Sequence, residues 1–152
     1  MTRTTPPDPG PLRLERTFAA PAQAVFDAWM SAEVLRQWWP AGPDWETPVA
    51  EVEARVGGAL RLVMRDPEGK EFGGRGEYIE IDPPRRLVFT WTWDSQDPGE
   101  GRQLVEVEFD DRGDGTTTVI LTNRGLPDEE TKRAHLDGWQ ASFDNLDRLL
   151  VA

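Results

Sequence analysis

The sequence contains no cysteine, one histidine and one tyrosine, and it has no long apolar run. The absence of cysteine excludes disulfides, thiolate metal sites and cysteine nucleophiles. The lone His135 has no cysteine and no flanking pair of carboxylates with which to build a zinc site, so we expect neither metal nor cofactor. No apolar stretch reaches the roughly 18 residues of a membrane-spanning helix, and residues 1–11 lack the apolar core of a signal peptide. We therefore expect a cytoplasmic protein.

Positive charge is scarce as well. Seventeen Lys and Arg oppose 28 Asp and Glu, which gives a net charge of −11. Such a field repels phosphate backbones and anionic lipid surfaces, so neither nucleic acid nor a membrane is an expected partner. A chain of 152 residues has the size of one domain, and we predict a disordered tail over residues 1–11 followed by a single domain over residues 12–152.

The apolar pattern predicts the order of the elements. A strand opens the domain at Leu12–Phe18, and two short helices follow, with Pro21 at the first helical position and Ser31 as an N-cap. From about residue 47 to residue 124 the period is two, and turn sequences interrupt it at 66–69, 82–84 and 114–115. Successive strands joined by short turns predict an antiparallel meander. The run from residue 87 to residue 93 is typical of a half-buried strand.

The last segment predicts one long helix. It opens at Pro127-Asp128, where acidic residues complement the helix dipole, and its apolar residues recur at steps of three and four: Leu136, Trp139, Phe143, Leu146 and Leu150. This stripe needs a large apolar partner, and the sheet offers one. We expect an α+β fold in which a curved antiparallel sheet of about six or seven strands wraps a long C-terminal helix, with two short helices after the first strand.

Four motifs in this order resemble a known superfamily. They are Leu35-Arg36-Gln37-Trp38-Trp39-Pro40, Arg55-Val56-Gly57-Gly58, Gly76-Glu77-Tyr78 with Pro83-Pro84-Arg85-Arg86-Leu87, and Gly138-Trp139 leading to Asn145-Leu146. From residue 12 to residue 151 the chain resembles the START-like (SRPBCC) superfamily. Within it, the chain is similar to the group related to the C-terminal domain of the heat-shock-protein-90 ATPase activator. The resemblance implies a helix-grip (START/Bet v 1-like) fold with a cavity between the sheet and the C-terminal helix.

Large side chains on the inward parity of the strands are the candidate lining of that cavity. From the sheet they are Leu60, Leu62, Met64, Tyr78, Leu87, Phe89, Trp91, Val105, Val107, Val119 and Leu121, and from the last helix they are Trp139 and Phe143. Core packing explains any one of them, whereas together they can enclose a mostly apolar ligand site. Tyr78, Asn123 and His135 are the polar candidates for orienting a ligand.

Two adjacent tryptophans, Trp38 and Trp39, are candidates for the rim of the pocket. Neighbouring residues cannot share one helix face, so we expect one in the core and the other exposed or at the rim. Glu80 has the inward parity unless a bulge shifts the register, and it has no obvious cationic partner. The glycines at 73, 74 and 76 lack the spacing of a phosphate loop and are expected to relieve crowding at a bent strand.

Three functions remain open. The favoured one is binding of a small hydrophobic molecule, such as a lipid, a polyketide or an aromatic metabolite, because no catalytic constellation accompanies the aromatic residues. The second is a stress- or chaperone-linked interaction module, implied by the resemblance, with a chaperone or a second copy of the chain as partner. The third is an enzyme of the cyclase or hydrolase type, for which Tyr78, Glu80 and His135 are the candidates.

Overall fold

The computed structural model describes residues 9–40, 42, 44–96 and 101–151. Residues 1–8 of the predicted tail lie outside this range, so the tail stays a prediction there. Within the range, the carbonyl of Pro9 accepts a hydrogen bond of 3.1 Å from Lys132 Nζ.

The described elements form one antiparallel sheet with helices on one side. The strands are β1 Leu12–Phe18, β2 Glu46–Val52, β3 Ala59–Arg65, β4 Glu71–Asp82, β5 Arg86–Trp93, β6 Gln103–Asp111 and β7 Thr117–Arg124, and the helices are α1 Ala22–Met30, α2 Ala32–Trp38 and α3 Glu129–Val151. The strand order is β1-β7-β6-β5-β4-β3-β2, and every neighbouring pair is antiparallel. The predicted α+β architecture of six or seven strands and a long C-terminal helix is confirmed.

Side chains at the helix starts explain where α2 and α3 begin. Ser31 Oγ accepts a hydrogen bond of 3.3 Å from the amide of Val34, which confirms the predicted N-cap. The carboxylate of Asp128 accepts one of 2.8 Å from the amide of Thr131, directly before the first residue of α3. Both bonds satisfy amides that have no partner within the helix. Pro21 is the N-cap of α1, so the helix begins at Ala22, one residue later than predicted.

The core fills the space between the concave face of the sheet and the three described helices. Phe143 of α3 is completely buried, and its ring packs edge-on against Phe18 of β1 at 5.5 Å between centroids. Phe26 of α1 packs against Phe109 of β6 at 5.1 Å. The two short helices and the second half of α3 therefore close one end of the concave face.

The strand predicted to be half-buried is buried on both faces. Leu87 to Thr92 in β5 are all buried, including Val88, Thr90 and Thr92, which alternate with the apolar residues of the concave face. β5 is the central strand of seven, so side chains of β4 and β6, such as Glu80 and Glu106 beside Val88, flank its outer face on both sides. Thr90 Oγ1 accepts a hydrogen bond of 3.0 Å from the amide of Glu77, which satisfies its hydroxyl there.

A bulge in β4 places Glu80 on the outer face. The register between β4 and β5 shifts between Tyr78 and Glu80, and this one-residue shift reverses the parity of Glu80. The inward position was expected only without a bulge, and the bulge is present, so Glu80 does not face inward. Its carboxylate is 47% exposed and lies 3.3 Å from Arg86 Nε, so it does have a cationic partner.

Candidate ligand-binding site

An open cleft of about 950 Å³ lies between the concave face and the first half of α3. Strands β3 to β7, helix α3 and the segment between α2 and β2 contribute to its walls. The volume is at the upper end of the range for small-molecule sites, roughly 300–1,000 Å³.

Aromatic side chains dominate the lining. They are Trp39, Trp45, Phe72, Phe89, Trp91, Trp93 and Trp139. The ring of Trp39 packs at 5.5 Å from Trp91 and edge-on at 5.3 Å from Trp139, while Trp91 and Trp93 meet edge-on at 5.2 Å. Because the rings brace one another in favourable edge-to-face geometries, they form a stiff wall.

Two glycines shape the space in this region. A Cβ at Gly138 of α3 would have no atom within 4 Å, so the helix leaves open volume at this lining position. A Cβ at Gly74 of β4 would lie 2.2 Å from the indole of Trp91, so the strand leaves room for that ring. The cleft thus depends on missing side chains as well as on large ones.

A row of polar side chains crosses the cleft, and its members hydrogen-bond to one another. Trp139 Nε1 donates to Asn123 Oδ1 at 3.1 Å, and Asn123 Nδ2 donates to Gln103 Oε1 at 3.0 Å. Gln103 Nε2 lies 3.5 Å from His135 Nε2, which accepts a bond of 3.0 Å from Trp93 Nε1. We call these five residues the polar row. Asn123 and Gln103 are 1% and 3% exposed, so their partners are each other and the indoles rather than bulk water.

His135 is held as a neutral imidazole. Its Nδ1 lies 2.9 Å from the carbonyl oxygen of Thr131, which can only accept, so Nδ1 carries the proton and Nε2 the lone pair. Burial lowers the pKa of His135, against a smaller opposing effect of the bond to Thr131. The lone pair already accepts from Trp93, which leaves no free general base.

Three of the four charged side chains in the lining, Arg61, Glu71 and Asp94, have partners of opposite charge, whereas Lys70 Nζ lies over the ring of Phe72 at 5.1 Å from its centroid. Arg61 and Arg75 share the carboxylate of Asp94, at 2.8 Å and 3.1 Å. Glu71 pairs with Arg65 at 2.9 Å. The polar row carries no charge, because its members are amides, indoles and a neutral imidazole.

The structure divides the predicted lining into two groups. Residues that line the cleft are Met64, Phe89, Trp91, Val105, Asn123, His135 and Trp139, together with Trp39. Residues that pack in the core instead are Leu60, Leu62, Tyr78, Leu87, Val107, Val119, Leu121 and Phe143. The second group lies where the helices fill the concave face: Trp29 of α1 packs 6.1 Å from Phe143.

Two placements near the pocket need correction. Trp38 and Trp39 were both rim candidates, with one of them expected in the core, and Trp38 is the core residue: it is completely buried, and its Nε1 donates a bond of 2.9 Å to the carbonyl of Ala28. It faces α1, whereas Trp39 follows the end of α2 and turns toward the cleft. Tyr78 was expected to orient a ligand, yet it packs in the core, and its hydroxyl has no partner among the described residues. Burial raises the pKa of Tyr78. The three enzyme candidates, Tyr78, Glu80 and His135, therefore do not converge.

Several lining residues were missed by sequence reasoning. Trp93 and Gln103 share the parity of predicted neighbours, Trp91 and Val105, so a signal for them existed. Trp45 stacks on Phe72 at 5.6 Å with 22° between the rings. It lies between α2 and β2, where no periodicity predicts an inward side chain.

A curved antiparallel sheet that grips a long C-terminal helix, with two short helices after the first strand, defines a protein of the helix-grip, START-like class. A family model described as "Activator of Hsp90 ATPase homolog 1-like protein" matches residues 19–151. The chain belongs to this family, and the resemblance seen in its motifs is confirmed.

Solved structures support the same assignment. A protein of Chromobacterium violaceum is 26% identical with a TM-score of 0.82, covering 93% of this chain and 98% of its own. An AHSA1 protein of Silicibacter pomeroyi is 32% identical with a TM-score of 0.78, covering 93% and 97%. An AHSA1-like protein of Aeromonas hydrophila is 26% identical with a TM-score of 0.71, covering 90% of both chains. No protein with a curated description matches.

Two further features concern the described residues alone. None of their helices is long and apolar enough to cross a membrane. No group of three or more His, Asp or Glu side chains among them is placed to hold a metal ion.

Proposed function

We propose that this protein binds a small, largely apolar molecule in the cleft, and that the flat aromatic body of this ligand is uncharged. The observation that carries the proposal is the wall of mutually braced aromatic rings around about 950 Å³ of open volume. A binding role also fits the fold of the family.

The polar row narrows the chemistry of the ligand. Its indole donors and the lone pair of His135 are already used, and the contact from Gln103 Nε2 is long, at 3.5 Å. Gln103 is therefore the donor best able to turn toward a ligand carbonyl or hydroxyl. A charged group placed against this row would lose its hydration without gaining a counter-ion.

The aromatic wall favours a ring system over an acyl chain. Tryptophan faces and edges attract other π-systems in stacked and edge-to-face geometries, beyond the effect of apolar area. A flexible chain loses more conformational freedom on binding than a flat ring does. We therefore expect neutral bicyclic or tricyclic aromatics to bind more tightly than fatty alcohols of equal carbon number.

Native mass spectrometry and thermal shift test the proposal. The compounds are 2-naphthol and 1-decanol, which have equal carbon number. We expect 2-naphthol to form a 1:1 complex and to raise the melting temperature. Gly138→Leu, which places a side chain in the open volume, should abolish binding, whereas Gln140→Leu, on the exposed side of the same helix, should leave it unchanged.

Two outcomes would contradict this function. One is the absence of any complex with either compound in the wild-type protein. The other is equal binding by the wild-type protein and by Gly138→Leu, because the ligand would then occupy another place.

The second candidate function is chaperone partnership, which membership of the family favours. The described surface has few exposed large apolar side chains, namely Val56, Ile79 and Val151, so an interface there would be mainly polar. An ATPase assay of the cognate heat-shock protein 90 with and without this chain separates the two functions. A stimulation that survives Gly138→Leu would favour the chaperone role.

A further inference from the structure

A second, smaller pocket shares Trp45 with the cleft. It has a volume of about 450 Å³ and is lined by Arg36 and Gln37 of α2, Pro40, Trp45, and Asn145 and Arg148 of α3. Trp45 also lines the cleft, so its indole is a wall common to both spaces.

Neutral acceptors, and not carboxylates, hold the two arginines in place. Arg36 donates through one nitrogen to the carbonyls of Thr47 and Pro48, at 3.0 Å and 3.3 Å. Arg148 donates to Asn145 Oδ1, and Asn145 is itself anchored by a bond of 2.8 Å to the carbonyl of Pro40. Both arginines are exposed, and each has a hydrogen bond that orients it but no carboxylate partner among the described residues.

Four described arginines have no carboxylate within 4.0 Å, and two of them, Arg36 and Arg148, line this one pocket. Ten of the chain's arginines, outside this pocket, lie within 4.0 Å of a carboxylate: Arg13, Arg16, Arg55, Arg61, Arg65, Arg75, Arg85, Arg86, Arg112 and Arg124. Neither Arg36 nor Arg148 has such a partner in the described part of the chain, and no carboxylate lines the pocket. The nearby acid Asp144 pairs with Arg16 at 2.6 Å.

We propose that Arg36 and Arg148 form a binding site for an oxyanion, either a carboxylate or a phosphate. Guanidinium groups match the geometry of these anions and make charge-assisted hydrogen bonds to them. The anion is either a free small ion or the acidic end of a molecule whose body occupies the cleft beyond Trp45. The second source depends on the proposed function, and the first does not.

Inorganic phosphate tests the site independently of the cleft. In a titration followed by ¹H–¹⁵N correlation spectra at low ionic strength, we expect saturable shifts of the Trp45 indole signal, assigned with Trp45→Phe. The double variant Arg36→Gln/Arg148→Gln should weaken phosphate binding about tenfold or more, because both charge-assisted bonds are lost. Arg148→Gln alone, which spares the bonds from Arg36 to Thr47 and Pro48, should weaken it to an intermediate degree.

A matched control distinguishes phosphate binding at this site from a general effect of the protein's positive charge. Arg102→Gln/Arg133→Gln removes the same charge from two exposed arginines that have no carboxylate partner in the described residues, and phosphate binding should be unchanged. Equal weakening in both double variants would overturn the proposal, as would the absence of any saturable shift with phosphate and with the acid probe described next.

A comparison of 2-naphthoate with 2-naphthol distinguishes the two sources. If the anion is the acidic end of a cleft ligand, 2-naphthoate should bind more tightly than 2-naphthol in the wild-type protein, and only its binding should weaken in Arg36→Gln/Arg148→Gln. If the anion is free, phosphate should bind without affecting the affinity for 2-naphthol. If the wild-type protein binds phosphate but not 2-naphthol, the proposed binding function of the cleft is refuted and the phosphate site is not.

Discussion

Asn123→Ala is the sharpest test of the polar row. The carboxamide of Asn123 accepts from Trp139 Nε1 at 3.1 Å and donates to Gln103 Oε1 at 3.0 Å. Its truncation leaves both of these groups without a partner in a buried place. Each buried polar group that loses its partner costs about 1–3 kcal/mol, so we expect the free energy of unfolding to fall by about 2–6 kcal/mol.

Urea denaturation measures this change. The midpoint should fall while the slope with denaturant stays constant, because the surface exposed on unfolding is nearly the same. Thr122→Ala is the control, since it removes a side chain from the adjacent position on the opposite face of β7, and it should cost less than about 1 kcal/mol. A loss below about 1 kcal/mol in Asn123→Ala would show that water replaces the carboxamide. The absence of water from the polar row, on which the proposed ligand chemistry rests, would then be refuted.

Two further predictions concern single residues. His135 should titrate below its ordinary pKa of about 6.5, because burial disfavours its charged form; stability from this group is then fully present above that pH and is lost as the pH falls through the lowered pKa. The shift of its imidazole Cε1 proton reports the value directly, since the chain has one histidine, and a pKa at or above 6.5 would contradict the account. Gly76→Ala should lower the free energy of unfolding by more than about 3 kcal/mol, since its Cβ would lie 1.8 Å from the carbonyl oxygen of Thr90. Gly138→Ala should instead raise it by about 0.5–1 kcal/mol. Chemical denaturation compares the two variants, and equal effects would be inconsistent with the close approach at Gly76.

Local signals predicted the elements well. Ser31 caps α2 and Asp128 caps α3 because capping depends on a side chain and amides within three residues of it. The meander follows from alternation and short turns, which are equally local. The long helix followed from its apolar stripe, and the sheet was the only large surface able to cover it.

Burial was harder to predict from parity. Alternation indicates which face a residue of β5 occupies, but the burial of the outer face depends on side chains of the neighbouring strands β4 and β6. The side of the sheet that Glu80 occupies stayed conditional for a related reason: the bulge after Tyr78 depends on how β4 fits β5 and leaves no mark in the alternation of β4 itself.

The candidate site shows the same division. Alternation and helical spacing by themselves placed Trp91, Asn123 and Trp139 on inward faces, because those periods are properties of the single strand or helix. Only the tertiary structure decided that Trp45 reaches the cleft and that Trp38 does not. It also decided that Arg36 and Arg148, far apart in the chain, share one pocket. Such contacts depend on the relative positions of separate elements, and packing sets these positions through all their side chains at once.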